Sequence, residues 1–173
     1  MKNRHNLCAM LALAISLTSC GGGESSGTNS GAVLTSLNGT WRSDCFLDPV
    51  FLPGASLLVS GTFNSGAVTI IGTTYDNATC NGNISMQETL TGTYILGSAV
   101  TVDGSVAGIT TATKIDYTET TAGSPDFGEI TYDLVAIKDN KLYQGDTDGV
   151  NDGATEMLRA TQLDGQIVFT RDQ

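Results

Sequence analysis

The stretch Ser56-Leu57-Leu58-Val59-Ser60-Gly61-Thr62-Phe63 carries the clearest structural pattern in the chain. In an extended backbone, successive side chains point to opposite faces. The side chains at odd positions would then share one face, and they are apolar or small: Leu57, Val59, Gly61 and Phe63. Hydroxyl groups dominate the other face. The pattern predicts a β-strand with one side toward a core.

The same period of two recurs along most of the chain after Val33. Ile115 and Tyr117 alternate with polar residues, and so do the residues from Ile130 to Ala136, where Ile130, Tyr132, Leu134 and Ala136 would share the apolar face. Turn pairs such as Asp139-Asn140 separate these segments. We predict strands near residues 37–46, 56–63, 67–76, 83–96, 99–102, 106–118, 129–138, 141–145 and 166–171. Two strands within 83–96 and a break within 106–118 are the alternatives.

About eight to ten short strands with one apolar face must close or stack to bury that face. The fold class is therefore all-β, an antiparallel meander that forms a barrel or a barrel-like sandwich. The segment Ala154–Gln162 is the one place where composition favours a helix, with a strand as the alternative.

The first twenty residues have the layout of an export signal. Lys2 and Arg4 precede an apolar run from Leu7 to Leu17, which is too short to cross a bilayer as a helix. Residues 1–19 are predicted to be a signal peptide, residues 20–32 a lipidated cysteine with a flexible Gly/Ser linker, and residues 33–173 a single domain. An ordinary signal peptide that ends near a cysteine is the alternative.

Leu17-Thr18-Ser19-Cys20 resembles the lipobox of bacterial lipoproteins. The resemblance implies that Cys20 carries fatty acyl groups such as palmitate and becomes the first residue after cleavage. Two or more acyl chains hold a protein stably on a membrane. Gly21, rather than Asp, resembles the pattern that sends such lipoproteins to the outer membrane.

The charge of the chain argues against binding to nucleic acid. The net charge is -10, and the basic residues are scattered rather than clustered on one segment. Binding to nucleic acid requires a concentrated basic face. The acidic excess is consistent with a soluble, monomeric domain beside the membrane.

Two cysteines, Cys45 and Cys80, remain after Cys8 is removed with the signal and Cys20 is acylated. An exported protein meets an oxidising environment, which favours a disulfide between them. Two free thiols or a shared metal are the alternatives.

Histidine chemistry is excluded from the mature protein, because the one histidine, His5, lies in the predicted signal. A serine or cysteine nucleophile activated by histidine is therefore ruled out, and so is a histidine-ligated zinc. We predict that the protein is not an enzyme and that it has no catalytic residue and no cofactor other than calcium.

Calcium is suggested by the run Asp146-Thr147-Asp148-Gly149-Val150-Asn151-Asp152-Gly153. Calcium takes six to eight oxygen ligands, and Asp146, Asp148 and Asp152 would supply them. The spacing does not fit a helix-loop-helix calcium site. An ordinary Asp/Gly-rich turn is the alternative.

Gly39-Thr40-Trp41, at the start of the first strand, resembles the Gly-x-Trp motif of the lipocalin or calycin superfamily. The resemblance implies that Trp41 closes one end of a barrel beneath an arginine from the last strand. Arg171 matches that position, and Arg159 is the alternative. It also implies an interior cavity lined by residues that include Leu57, Val59, Phe63, Ile70, Tyr132 and Leu134.

These features predict an outer-membrane lipoprotein whose lipocalin-like domain binds a small apolar ligand. The alternative is a non-catalytic envelope or adhesion module that contacts proteins or glycans through its loops, with calcium ordering those loops. Either function needs no enzyme chemistry.

Overall fold

The structure is a computed structural model that describes residues 37–47, 54–147 and 150–172. The predicted signal peptide, Cys20, the linker and Asp148 lie outside the described residues. The strands are β1 (Gly39–Ser43), β2 (Phe46–Leu47), β3 (Ser56–Asn64), β4 (Ala67–Tyr75), β5 (Ile84–Thr101), β6 (Thr111–Glu119), β7 (Ile130–Lys138), β8 (Lys141–Gly145) and β9 (Leu163–Arg171). No helix among these residues is long and apolar enough to cross a bilayer.

The sheet closes into an eight-stranded antiparallel barrel, as predicted. The strand order around it is β1, β9, β8, β7, β6, β5, β4 and β3, and β1 pairs with both β9 and β3. The additional strand β2 pairs with the start of β3, where Phe46 lies opposite Leu57. A closed sheet leaves none of the eight barrel strands as a free edge.

Two tight turns show why neighbouring strands pair in sequence order. Ser65 and Gly66 join β3 to β4, and Asp139 and Asn140 join β7 to β8. All four residues have positive φ, between 49° and 95°. Two central residues with positive φ are typical of the type I′ turn, whose twist matches that of a hairpin.

The barrel has two distinct ends. We call the end that contains the start of β1, the two tight turns and the end of β9 the plugged end. The opposite end holds residues 44–47 and the connections β4–β5, β6–β7 and β8–β9, and we call it the loop end.

Several predicted elements differ from the structure. The predicted strand 37–46 is divided into β1 and β2. Residues 83–96 and 99–102 form one long strand, β5, which continues through an irregularity between Leu96 and Ala99. Residues 106–110 precede β6 instead of belonging to it. The segment Ala154–Gln162 contains a 3-10 turn, Glu156–Leu158, rather than an α-helix. The residue after this turn, Arg159, is hydrogen-bonded to carbonyl oxygens of the barrel wall.

The barrel interior is the main hydrophobic core. Its buried members are Leu37, Trp41, Leu57, Val59, Phe63, Val68, Tyr94, Ile115, Tyr117, Val135, Leu142 and Phe169. A second cluster contains residues of segments 102–112 and 160–163 together with Leu134, Ala136 and Tyr143. In β7 and β8, members of the two clusters alternate, so the second cluster lies against the outer wall of the barrel.

The prediction that Tyr132 and Leu134 of β7 point into the barrel is wrong, and the second cluster explains why. Val135 belongs to the interior cluster, whereas Leu134 belongs to the outer one and Tyr132 packs against Arg159. Both faces of β7 are covered, so an apolar alternation cannot tell inside from outside. Leu57, Val59 and Phe63 are interior as predicted, and Ile70 packs against them.

Candidate functional site: the barrel interior and its loop end

Trp41 and Arg171 stack on each other at the plugged end. The two residues are opposite each other in the β1–β9 register, and the guanidinium carbon of Arg171 lies 4.5 Å from the centroid of the indole. The fully buried Trp41 donates a hydrogen bond from Nε1 to the carbonyl oxygen of Leu37, at 2.7 Å. A cation over an indole face is attracted by the ring electrons. Gly39 has a φ of 129°, which explains the glycine of the Gly-x-Trp motif.

A cavity of about 10 Å³ adjoins this plug. Its walls are mostly apolar, and Gln144 is the one polar side chain among its lining residues: Trp41, Val59, Gly61, Phe63, Ile70, Leu142, Gln144 and Phe169. A volume of this size accommodates about one water molecule. Pockets for small organic ligands usually measure about 300 Å³ or more.

Polar groups are buried next to this apolar interior. Asp133 is 6% exposed, and its Oδ1 atom accepts hydrogen bonds from the backbone N–H of Leu134, at 2.6 Å, and of Gly145, at 3.0 Å. Burial raises the pKa of Asp133 to about 7. Burial also raises the pKa of Tyr117, with the nearby Asp133 as a second cause. A charge in this region is therefore costly.

Arg159 fastens the β8–β9 connection to the outer wall of the barrel. Its Nη1 atom donates to the carbonyl oxygens of Ile115, at 3.0 Å, and Asp133, at 2.8 Å, while Nη2 donates to Oδ1 of Asp116, at 2.7 Å. Its guanidinium carbon lies 5.2 Å from the centroid of the Tyr132 ring. Arg159, the alternative to Arg171, thus has a different structural role.

Sequence reasoning missed both Asp133 and the role of Arg159. Asp133 occupies a position that alternation assigned to the solvent side of β7. The one available signal for Arg159 was indirect, since Asp116 and Tyr132 are opposite each other in the β6–β7 register. That register becomes known only once the strand boundaries are fixed.

The predicted disulfide is present and ties two segments of the loop end together. Cys45 and Cys80 are bonded, with their Cα atoms 5.8 Å apart. Cys80 lies in the β4–β5 connection, and its N–H donates to Oγ of Ser56 at 2.9 Å. In the same connection, Asp76 accepts bonds from the backbone and the side chain of Asn83. The bridge therefore joins the short segment between β1 and β2 to the β4–β5 connection.

The predicted calcium ligands are only partly within the described residues. The N–H of Asp146 donates to the carbonyl oxygen of Gln162, and Oδ1 of Asp152 accepts a bond from the N–H of Ala154. Asp148 lies outside the described residues. Among the residues described, no three acidic, histidine or cysteine side chains gather as a metal site. Calcium binding at this loop stays a prediction.

The loop end combines exposed apolar side chains with acidic ones. Five large apolar residues there are between 44% and 80% exposed: Leu47, Ile84, Phe127, Ile130 and Val150. The acidic residues of the same end include Asp44, Asp126, Glu129, Asp146 and Asp152. We call this combined surface the rim.

Arg159, in the β8–β9 connection, is buried. The other basic side chains of the described residues lie away from the rim. Lys138 and Lys141 flank the β7–β8 turn at the plugged end, and Arg42 pairs with Asp172 close to it. Lys114 lies on the outer wall, where it pairs with Glu156. The two ends of the barrel therefore differ in charge.

No protein family model and no curated protein sequence matches this chain.

Proposed function

We propose that this protein is a lipid-anchored module of the bacterial outer membrane that binds a basic protein partner through the rim of its barrel. The rim carries this proposal, because isolated apolar side chains are common on protein surfaces but a group of them at one end is typical of a binding surface. Acidic residues around that group would favour a partner of opposite charge.

The position of the rim relative to the anchor supports the proposal. Residue 37 enters the barrel at the plugged end, next to Trp41. A linker that runs from an acylated Cys20 would therefore hold the plugged end toward the membrane. The rim would face away from the membrane, where a partner can reach it.

The central cavity favours a surface function over carriage of a small apolar ligand. Trp41, Phe63 and Phe169 line it, and its volume is about 10 Å³. A lipid-sized ligand would require these side chains to move apart. Docking at the rim requires no such rearrangement.

Anchoring can be tested by comparing the wild-type protein with Cys20→Ser in a Gram-negative host. We expect the wild-type protein in the outer-membrane fraction, with acyl groups detected by mass spectrometry on its first residue. The variant should lose the acyl groups and the membrane association. A wild-type protein that keeps residues 1–19 or carries no acyl group would refute the anchor.

Docking can be tested by placing a photo-crosslinking amino acid at Phe127 and, as a control, at Thr93 on the barrel wall. We expect a crosslinked partner at Phe127 alone. A Phe127→Asp change should abolish binding of that purified partner, and binding of the unchanged protein should weaken as salt rises. Equal crosslinking at both positions would contradict the rim as the binding surface.

A further inference from the structure

At the loop end of the barrel, β5 extends past its neighbour β6. The β5–β6 ladder begins with Gly92 opposite Glu119, whereas the β4–β5 ladder already covers β5 from Ile84 onward. The barrel is closed, but the first part of β5 therefore pairs with a strand on one side only among the described residues. We call residues 85–89 of β5 the overhang.

The backbone of alternate overhang residues points to the open side. The N–H of Thr91 donates to Oγ1 of Thr121, and its carbonyl oxygen accepts from the N–H of Thr120, both at 2.8 Å. The backbone groups of Thr91 therefore point toward the β6 side. Because alternate residues of a strand direct N–H and C=O to the same side, Gln87 and Thr89 present theirs at the open edge. Both residues are exposed.

The β6–β7 connection does not continue the sheet beyond Thr91. Its next hydrogen bonds are internal, because the N–H of Ser124 donates to the carbonyl oxygen of Thr121 and the N–H of Phe127 donates to that of Ser124. The overhang thus keeps an edge to which another extended chain can add.

The segments that border the overhang carry acidic residues and no basic ones. Neither lysine nor arginine occurs in residues 43–113, which include β4 and β5, or in residues 115–137, which include the β6–β7 connection. Glu88 belongs to the overhang itself, and Asp126 and Glu129 lie in that connection. These charges favour a positively charged partner and repel a second copy of this acidic chain.

We infer that the overhang binds an extended basic segment of a partner protein as an added β-strand. The inference rests on the proposed docking at the rim and specifies the form of the partner there. Backbone hydrogen bonds with Gln87 and Thr89 would hold the segment, as in other cases of strand addition. The exposed Ile84 would contact its apolar side chains. At about 3.3 Å per residue, about five residues of the segment would pair with the overhang.

The test uses the detergent-solubilised full-length protein and a blocked peptide of alternating lysine and valine as the probe. We expect fluorescence anisotropy to detect binding that weakens as salt rises, and hydrogen exchange to slow in peptides from the overhang. The same probe with methylated nitrogens along one edge keeps its charges and loses its donors, so it should bind about tenfold more weakly. A peptide of alternating glutamate and valine should not bind.

Two variants of Gln87 separate the backbone from the side chain. Gln87→Pro removes the N–H that points to the open side, and proline is tolerated on a strand edge where no ladder bond is lost. Gln87→Ala removes the same side chain and keeps the N–H. We expect about tenfold weaker binding in Gln87→Pro alone. If that variant does not fold, the methylated probe on the wild-type protein decides.

The outcomes separate strand addition from docking at the rim. Equal binding of the methylated and unmethylated probes would overturn strand addition, and docking at the rim would still stand if Phe127→Asp abolished that binding. No binding of the basic probe, or equal binding of the acidic one, would overturn the inferred basic segment. A dimer in sedimentation that Gln87→Pro dissociates would assign the edge to a second copy and overturn the inference as well.

Discussion

At the scale of single residues, Trp41 belongs to the hydrophobic core and also to the pairing of β1 with β9. Its ring fills the interior beneath Arg171, and its N–H satisfies the carbonyl of Leu37. Phenylalanine would leave part of that volume empty and the buried carbonyl without a donor. Trp41→Phe should therefore lower the free energy of unfolding by about 2–4 kcal/mol.

Urea denaturation at constant pH measures this loss. Tyr94→Phe is a suitable control, because it removes a hydroxyl that makes one long contact with Asn38, at 3.4 Å, and leaves the ring in place. We expect the control to lose less than about 1 kcal/mol. Equal losses in the two variants would show that the indole has no special role.

Trp41 and Arg171 could be predicted from the sequence, whereas the burial of Asp133 could not, and the difference has a physical reason. Trp41 and Arg171 carry a recognisable motif and a matching strand position. Asp133 carries neither, since an aspartate in an alternating strand is expected to face water. Segments 102–112 and 160–163 cover the outer face of β7 and bury Leu134 and Ala136 there, so the alternation assigned Asp133 to the wrong face. Such coverage is a tertiary property that no local pattern of β7 contains.

At the scale of elements, the disulfide between Cys45 and Cys80 is expected to stabilise the loop end. The bridge spans 35 residues, and replacement of both cysteines by serine should lower the free energy of unfolding by about 2–4 kcal/mol. Thermal unfolding with and without reductant would measure this change. Reductant should destabilise the wild-type protein and leave the double variant unaffected.

The location of that effect is also predictable. Hydrogen exchange should increase in the β4–β5 connection, where Asp76 and Asn83 order the loop, more than at the β3–β4 turn. The turn lies at the opposite end of the barrel. A uniform increase would indicate that the bridge acts mainly on the unfolded chain.

Arg159 provides a prediction for the β8–β9 connection. Arg159→Met keeps much of the side-chain volume but leaves Asp116 and two carbonyls without their donor. We expect a loss of about 2–4 kcal/mol in unfolding free energy, measured by urea denaturation. Lys114→Met is the matched control, since its ion pair with Glu156 is exposed to solvent and should contribute less than about 1 kcal/mol.

The elements themselves were largely predictable, with two informative exceptions. Type I′ turn residues and period-two alternation fixed most strand positions. The prediction divided the long strand β5 between residues 96 and 99, whereas in the structure the strand continues through an irregularity in the β5–β6 pairing at that point. The 3-10 turn replaced a helix because Arg159 and Ala160 are held against the wall.

At the scale of the whole molecule, barrel closure brings together residues that are far apart in sequence. Arg42 and Asp172, which pair across the β1–β9 seam, are 130 positions apart. Closing such a long loop costs conformational entropy, and the stabilising contacts across the seam form only after the loop has closed. We therefore expect the seam to form late in folding.

Stopped-flow folding kinetics would test this order. Phe169→Leu, at the seam, should mainly accelerate unfolding and leave the refolding rate nearly unchanged. Val68→Ala, in the local β3–β4 and β4–β5 pairings, should slow refolding. A refolding rate that falls equally in both variants would contradict late closure.

The same seam has a practical consequence for labelling experiments. Asp172 donates its N–H to the carbonyl of Thr40, so the polypeptide leaves the barrel beside the point where it entered. A fluorescent protein fused behind residue 173 would therefore lie at the plugged end, which the proposed anchor would hold toward the membrane. A short epitope inserted between β6 and β7 would instead lie at the loop end of the barrel, away from both termini of the domain.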